Sequence, residues 1–387
     1  MRSVVRTIAM FSLVILGSCN QSGMGTFHSI RNEVAIQDTA LENDITILSI
    51  SVLTDAYYVV TGELRYRDST ITDPTLFEWA KRELPADTTL FTSSAVLAGD
   101  LYVTATDLME PVEASVGSSL FKLDESDGRT WTLVDLGVES ANSRVLAVSA
   151  YSEGLLVTTS VDDYSYLGFV TTDGSTFDPL TLPFSTVAPR RVVKYAGDLW
   201  VIAGNALYTG SAFSLSAVSD ANSPGSASPV ETLLVDIRHY PDISALLVLA
   251  ADGTLYAYTG STWLSSGTDP DEVPGIEVLD ESSSIQATRL FGAGVAGEQV
   301  ILVGTESGYL EIVLPTAALD AAAFDAAVAD EPGENAASTS GTGYSIVDLS
   351  SSAILDFEID GTLLFVATAG AGLWRIDLAA DLSWGRE

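Results

Sequence analysis

The chain has 387 residues, and its 17 Lys and Arg against 52 Asp and Glu give a formal net charge of −35. That charge argues against direct binding to nucleic-acid phosphates or to an anionic lipid surface, and a hydrophobic content of 47% argues against wholesale disorder. One Cys and two His supply neither a disulfide framework nor a zinc cluster.

The first 18 residues have the features of a secretory signal peptide. Arg2 and Arg6 precede an apolar run from Ile8 to Leu16, and this run is too short to span a bilayer as a permanent helix. Small residues then lead to Cys19, which is the only cysteine of the chain. We therefore expect cleavage immediately before Cys19.

The segment Leu16-Gly17-Ser18-Cys19 resembles the lipobox of bacterial lipoproteins. The resemblance implies that the Cys19 thiol is diacylglyceryl-modified, so that two or three acyl chains hold the mature protein at a membrane of the bacterial cell envelope, facing the periplasm or the exterior. Residues 19–30 are small and polar at first, as in a flexible tether. The alternatives are an ordinary cleaved signal and a Cys buried in a core.

From about residue 45 the chain repeats one pattern: an apolar strand, a Gly-Asp or Asp-Gly turn, a second apolar strand, and a third strand that ends in an aromatic hairpin. The clearest copies span residues 95–107, 148–162, 192–210, 246–260 and 357–378. First strands near residues 47, 95, 145, 192, 233, 287 and 353 indicate seven units. The pattern predicts an all-β, seven-bladed β-propeller over residues 31–387, with six or eight blades as alternatives.

A turn of the form x-Gly-x-small-aromatic recurs after the third strands. Its copies begin at Asp127, Asp173, Thr209 and Thr259. Glycine supplies the positive φ of a tight hairpin, and we expect the aromatic ring to pack across the next strand. These turns resemble a shortened Asp-box of sialidase-type propellers; the resemblance implies a fold and no particular activity.

Two parts of the propeller segment depart from the pattern. The last unit has few residues left for a fourth strand, so we expect the stretch from Phe27 to Ile36 to pair with the last blade and close the ring. Residues 316–330 are alanine-rich and residues 331–343 are rich in turn formers. They predict a short helix and a loop, inserted at about 316–343.

Motifs that could carry chemistry are weak. Gly292-Ala-Gly294-Val-Ala-Gly297 matches a dinucleotide-binding pattern, but the strand-like residues 299–304 follow it, so we expect a turn between two strands. His28 and His239 form no ligand pair or catalytic relay. Acidic turns at 162–163 and 269–272 could hold calcium but have no calcium-loop spacing, and we read them as solvated turns. No cofactor or metal site is predicted.

Aromatic and basic residues carry further expectations. Trp131, Trp200, Trp263, Trp374 and Trp384 recur near equivalent repeat positions, which favours packing between blades over a sugar-binding platform. Arginines outnumber lysines, which occur at 81, 122 and 194, and this composition resembles that of proteins adapted to salt.

Together the patterns predict a lipid-anchored extracytoplasmic propeller that binds or scaffolds a protein or glycan partner without catalysis. The alternative is a carbohydrate-active, sialidase-like glycoside hydrolase that uses paired carboxylates on the axial face. Such an enzyme needs clustered arginines and a tyrosine, and the adjacent pair Arg190-Arg191 does not by itself nominate a cluster. A closed axial pocket with two carboxylates about 5–10 Å apart and an arginine or aromatic platform would favour the enzyme, whereas a shallow face with no perturbed acids would favour binding.

Overall fold

The protein is described by a computed structural model that covers residues 41, 45–73, 76–82, 90–106, 118–124, 130–137, 144–161, 165–182, 186–218, 233–261, 263–264, 276–277, 286–295, 298–313, 352–379 and 385–387. The described residues form 27 strands in seven separate antiparallel sheets, and each sheet is one blade built from strands consecutive in the chain.

Each blade begins with a strand that belongs to the inner ring: β1 (Ser49–Val52), β5 (Leu90–Leu97), β9 (Arg144–Tyr151), β13 (Pro189–Tyr195), β17 (Leu234–Tyr240), β21 (Ala287–Val295) and β24 (Ile354–Asp360). The second strands are β2 (Ala56–Val60), β6 (Asp100–Thr106), β10 (Gly154–Ser160), β14 (Asp198–Ala203), β18 (Ala245–Ala250), β22 (Glu298–Thr305) and β25 (Leu363–Thr368). The third strands are β3 (Leu64–Asp68), β7 (Ser118–Asp124), β11 (Tyr166–Thr171), β15 (Ala206–Ser211), β19 (Thr254–Tyr258), β23 (Tyr309–Val313) and β26 (Leu373–Asp377). Fourth strands are described in six blades: β4 (Ala80–Lys81), β8 (Thr130–Leu133), β12 (Asp178–Leu180), β16 (Ser214–Ala217), β20 (Ile276–Glu277) and β27 (Gly385–Arg386).

The blades close a ring around one axis. Every first strand contacts the first strands of the two neighbouring blades, and β24 of the seventh blade contacts β1 of the first. The protein is a seven-bladed β-propeller. The expected fold and blade number are confirmed, and the alternatives of six or eight blades are wrong.

The hydrophobic core is divided among the gaps between blades. Seven clusters of buried side chains occur, and each draws its members from two neighbouring blades. Both faces of the second strands are covered in this way, so β2 and β18 are buried along their whole length. This burial explains why the second strands are continuous apolar runs and do not alternate with polar residues.

The tight turns follow from the Gly-Asp signature of the repeats. Between β5 and β6, Ala98 and Gly99 have φ of 54° and 87°, and between β13 and β14, Ala196 and Gly197 have φ of 53° and 96°. Positive φ at both central residues is the geometry of type I′ hairpins, whose twist matches that of the strands they join.

Three of the four x-Gly-x-small-aromatic turns are confirmed in their backbone and only in part in their packing, and residues 127–129 of the first copy lie outside the described residues. Gly174, Gly210 and Gly260 all have positive φ. The ring of Trp263 is buried, but Phe213 is 63% exposed, so the expectation that its ring packs across the next strand is wrong. Phe213 sits in the short turn between β15 and β16, where the backbone pairing of the two strands does not depend on the ring.

The last blade obtains its fourth strand from the C-terminal residues. β27 pairs with β26 through Trp374 and Arg386. The place that was expected for residues 27–36 is therefore occupied by residues 385–386, and residues 27–36 lie outside the described part of the chain. The ring closes instead through hydrogen bonds from the N–H of Ile47 to the carbonyl of Thr368 (2.9 Å) and from the N–H of Gly372 to the carbonyl of Ile45 (3.0 Å).

Candidate ligand-binding site on the propeller axis

A repeated irregularity in the first strands positions the side chains around the axis. In six blades the pairing of first and second strands skips one residue, which is Thr92, Leu146, Arg190, Val235, Thr288 or Leu355. Such a bulge bends the strand and redirects the side chains that follow it. The next residue in each blade is Ser93, Ala147, Arg191, Asp236, Arg289 or Asp356, and Ser49 holds the corresponding place in β1.

Four of these axial side chains accept a backbone hydrogen bond from the next blade. The N–H groups that donate are those of Ser94 to Ser49 (3.0 Å), Val148 to Ser93 (2.9 Å), Leu290 to Asp236 (2.9 Å) and Ile50 to Asp356 (3.3 Å). An inner-edge strand has no further strand to pair with, and a buried N–H without an acceptor is costly. Side chains of one blade therefore accept hydrogen bonds from backbone N–H groups on the unpaired inner edge of the next blade.

Blades four to seven carry charged residues at the axial position, and arginine and carboxylate alternate from one blade to the next: Arg191, Asp236, Arg289 and Asp356. Arg289 donates to Asp356 over 2.6 Å and lies 3.7 Å from Asp236, and Arg191 lies 3.4 Å from the other oxygen of Asp236. Asp236 is almost completely buried. Its two oxygens also accept the backbone N–H groups of Ile237 and Leu290, so this carboxylate is fully engaged.

The charges set the protonation states of this cluster. Burial raises the pKa of Asp236, but the positive charges of Arg289 and Arg191 outweigh it and hold that pKa below its usual value. Burial, with the like charge of Arg289, lowers the pKa of Arg191 to about 10. Burial also opposes the charge of Arg289, but Asp356 and Asp236 raise its pKa overall. Both arginines and Asp236 are therefore charged at neutral pH.

A second layer of side chains lies two residues further along the strands. Arg238 places its guanidinium 4.9 Å from the centroid of the Phe291 ring, in a cation–π contact. Burial raises the pKa of Glu358 to about 7, and the nearby charge of Asp356 adds to the effect. Glu358 therefore changes its charge near neutral pH, whereas Asp236 stays ionised there.

These layers surround a cavity of about 290 Å³ on the axis. All seven first strands contribute to its wall, so it is the central channel of the ring and not a gap between two blades. Its charged and polar lining residues are Ser94, Tyr151, Ser152, Arg191, Asp236, Arg238, His239, Arg289, Asp356 and Glu358. The volume is that of about ten water molecules at roughly 30 Å³ each, so it admits a small polar group but not a folded segment.

Few of these residues can be predicted from the sequence patterns. Arg191 and His239 stand in separate motifs there, and Asp236, Arg238, Arg289, Asp356 and Glu358 belong to none of the motifs that could carry chemistry. A signal was present: in four blades a hydrogen-bonding residue stands two places after the buried residue that opens the first strand, as in Leu234-Val235-Asp236 and Ile354-Leu355-Asp356. An alignment of the first strands, rather than of the turns, would have exposed the charged positions.

The predicted packing of the tryptophans is confirmed for the described residues, but their predicted equivalence is wrong, because Trp200 lies in a second strand, Trp374 in a third and Trp131 in a fourth. Trp200, Trp263 and Trp374 are buried at 7%, 5% and 6% exposure, and Trp131 is half-buried against Phe91 and Phe121. They pack within or between blades and do not form an exposed platform. Trp384 lies outside the described residues.

Other predictions have mixed outcomes. Gly292 and Gly294 lie in β21 and are followed by β22, so the dinucleotide-like pattern is part of a hairpin as expected. Among the described residues, no group of three or more His, Cys, Asp or Glu could hold a metal ion.

Some predicted features lie outside the described residues: Cys19, the acidic turns at 162–163 and 269–272, and the insertion at 316–343. No helix in the described ranges is long and apolar enough to cross a bilayer.

Comparisons with known proteins support the fold. No protein-family model and no curated protein sequence matches the chain. Among solved structures, "YCF48 bound to D1 peptide" is similar with a TM-score of 0.50 and 15% identity, over 89% of this chain and 98% of that chain. That chain is also a β-propeller. At this identity the likeness concerns the fold, and the function must be argued from the axial site.

Proposed function

We propose that the protein is a non-catalytic binding or scaffolding module, and that a polar group of its protein or glycan partner enters the axial cavity. The observation that carries this proposal is the placement of Arg191, Arg238 and Arg289 around one cavity. The cavity sets these three arginines against three carboxylates, whereas the whole chain has 17 Lys and Arg against 52 acids, so positive charge is concentrated at the cavity relative to the rest of the molecule.

The geometry suits recognition by a rigid site. The lining side chains stand on strands of the inner ring, and Asp236 and Asp356 are fixed by backbone N–H groups of the next blade. Such preorganisation lowers the entropic cost of binding. The structure of YCF48 was solved with a D1 peptide, and a peptide is one class of partner that we propose for this chain.

We also propose that Cys19 carries the lipid anchor and that binding takes place outside the cytoplasm. Support comes from the sequence of residues 1–19, because the signal-like segment ends in the lipobox-like residues Leu16 to Cys19. A propeller held near a membrane presents its partner there at high local concentration. Metabolic labelling with an alkyne fatty acid, compared between wild type and Cys19→Ser, tests the anchor: loss of label in the variant supports it, and equal labelling contradicts it.

Crosslinking capture from membranes of the source cells tests the axial site. Arg238→Gln removes a cavity charge whose guanidinium contacts Phe291 by a cation–π interaction, and Arg190→Gln is the matched control because Arg190 is exposed and does not line the cavity. We expect a partner that wild type and Arg190→Gln recover equally and that Arg238→Gln recovers at least about tenfold less, as for loss of one charged hydrogen bond. Equal recovery by all three proteins would contradict the proposal.

A second candidate function is the sialidase-like hydrolase, which one observation favours. Glu358 has a pKa near 7 and stands two residues from Asp356, so both carboxylates project from the same face of β24 with Cα atoms about 7 Å apart. The arginines and Tyr151 line the same cavity. Against catalysis, Asp356 is already held by Arg289 and by the N–H of Ile50, and burial raises the pKa of Tyr151 to about 12.

Turnover assays separate the two functions. Fluorogenic glycosides, including α-sialosides, are incubated between pH 5 and pH 8 with wild type and with Glu358→Gln, which cannot donate an acidic proton. A binding module gives equal background rates with the two proteins. A wild-type rate well above that of Glu358→Gln would establish the hydrolase and overturn the proposed function.

A further inference from the structure

The charge inside the axial cavity depends on one side chain. Arg191, Arg238 and Arg289 supply three positive charges, and Asp236 and Asp356 supply two negative ones. The cavity therefore carries one positive charge when Glu358 is protonated and none when Glu358 is ionised. A single monovalent anion would neutralise the first state, whereas it would leave the second with an uncompensated negative charge in a confined site.

Carboxylate is the anion that this arrangement favours. The planar guanidinium fork matches the two oxygens of a carboxylate. A phosphate or sulfate dianion would exceed the single charge that the cavity can neutralise. The volume of about 290 Å³ suits an acid with several carbon atoms or the last residue of a peptide.

We propose, on the basis of the binding function above, that the axial cavity takes up one carboxylate together with one proton, and that Glu358 holds the proton. Two carboxylates that share the same arginines repel each other unless one is protonated. Glu358 is the group that can accept the proton, because Asp236 and Asp356 are each fixed by a backbone N–H and by Arg289. Ligand affinity should therefore fall as pH rises.

Five strands carry the other charged and titratable groups that line the cavity around Glu358. On its own strand stands Asp356; on β21, Arg289; on β17, Asp236, Arg238 and His239; on β13, Arg191; and on β9, Tyr151. The lining residues from β1 and β5 are Ile50, Ser94 and Ala95, which carry no charge. Burial lowers the pKa of His239 and raises that of Tyr151 to about 12, so burial favours the neutral form of both side chains.

Calorimetry with defined probes tests the proposal. N-acetylglycine represents a peptide C-terminus and glucuronate an acidic sugar, and both remain ionised throughout the range. N-acetylglycinamide and methyl glucoside are their neutral controls. For wild type we expect the dissociation constant of a bound carboxylate to rise about 25-fold between pH 6.5 and pH 8.5, as for a required protonation with a pKa near 7. At pH 8, titrations in buffers of different ionisation enthalpy should show uptake of about one proton per ligand.

Variants complete the test. Glu358→Gln mimics the protonated side chain, so it should bind the carboxylate as wild type does at low pH, with affinity independent of pH. Arg190→Gln should behave as wild type. If Glu358→Gln does not fold, the proton uptake that accompanies ligand binding by wild type still tests the proposal. Binding of the neutral controls with equal affinity would overturn the carboxylate class, and a wild-type affinity that does not change with pH would overturn the coupling.

The proposed function can fail separately from this inference. If no carboxylate binds at millimolar concentration, the inference is wrong, whereas the binding function stands or falls on whether membrane capture distinguishes Arg238→Gln from Arg190→Gln. Preference for N-acetylglycine would indicate a peptide C-terminus as the source of the carboxylate, and preference for glucuronate an acidic glycan.

Discussion

The carboxylate of Glu387 lies 2.7 Å from the guanidinium of Arg67, and their side chains are 0% and 1% exposed. Arg67 belongs to the third strand of the first blade, and Glu387 directly follows the last strand of the seventh. Arg67 is also covered by Phe77, whose ring centroid is 3.8 Å from the guanidinium. Glu387 also pairs with Arg375 over 3.2 Å. This buried pair joins the two blades at the seam where the ring closes.

Glu387→Gln should destabilise the propeller strongly. Removing one charge of a buried pair leaves the other without compensation, and such changes typically cost about 3–5 kcal/mol. The control is Lys81→Gln, which breaks the exposed pair between Lys81 and Glu63 and should change stability by less than about 1 kcal/mol. Chemical denaturation of both variants provides the measurement. A small effect for Glu387→Gln would show that the seam does not depend on this pair.

Stability should depend on pH through Glu358. A carboxyl whose folded pKa is raised favours the folded state below its ordinary pKa of 4.5 and loses that advantage as pH rises towards about 7. We expect the unfolding free energy of wild type to fall by about 2–3 kcal/mol from pH 4.5 to pH 8 relative to that of Glu358→Gln. Denaturation series of the two proteins at each pH give this difference. A difference that stays constant with pH would contradict the assignment.

The serine at the axial position of the second blade should support its neighbour. Ser93→Ala removes the oxygen that accepts the N–H of Val148 over 2.9 Å and that contacts the hydroxyl of Thr104. A buried donor left without a partner costs about 1–3 kcal/mol. Ser214→Ala is the control, because Ser214 is exposed in β16. Hydrogen exchange at Val148 should accelerate in Ser93→Ala and stay at the wild-type rate in Ser214→Ala.

Salt should stabilise the protein. The chain carries 52 Asp and Glu, and its three lysines are all engaged in ion pairs, with Glu63, Asp100 and Glu153. Because Asp and Glu outnumber Lys and Arg by 35, the net charge of the folded protein is self-repulsive, and this repulsion is screened within about 3 Å at 1 M salt. We expect the melting temperature to rise between dilute buffer and molar NaCl. A melting temperature that does not rise would contradict the idea of salt adaptation.

The blade architecture could be predicted because its signals are local. A strand, a Gly-Asp turn and a second strand occupy fewer than 20 consecutive residues, and their apolar runs follow directly from burial on both faces. Ala196 and Gly197, for example, form the tight turn that the Gly-Asp pattern predicts. Repetition of the pattern then indicates the number of blades.

The sequence by itself therefore determined an all-β ring of repeated blades, with seven as the favoured number, tryptophans packed inside and turns at the surface. Only the tertiary structure decided what meets on the axis. Arg289 and Asp356 are 67 residues apart, and Leu290 and Asp236 are 54 apart. Their contact depends on a bulge in each first strand and on the angle at which seven blades close. Neither the bulge nor the closing angle can be predicted from the local pattern. The direction of side chains on the inner ring follows from packing between blades that are distant in the chain.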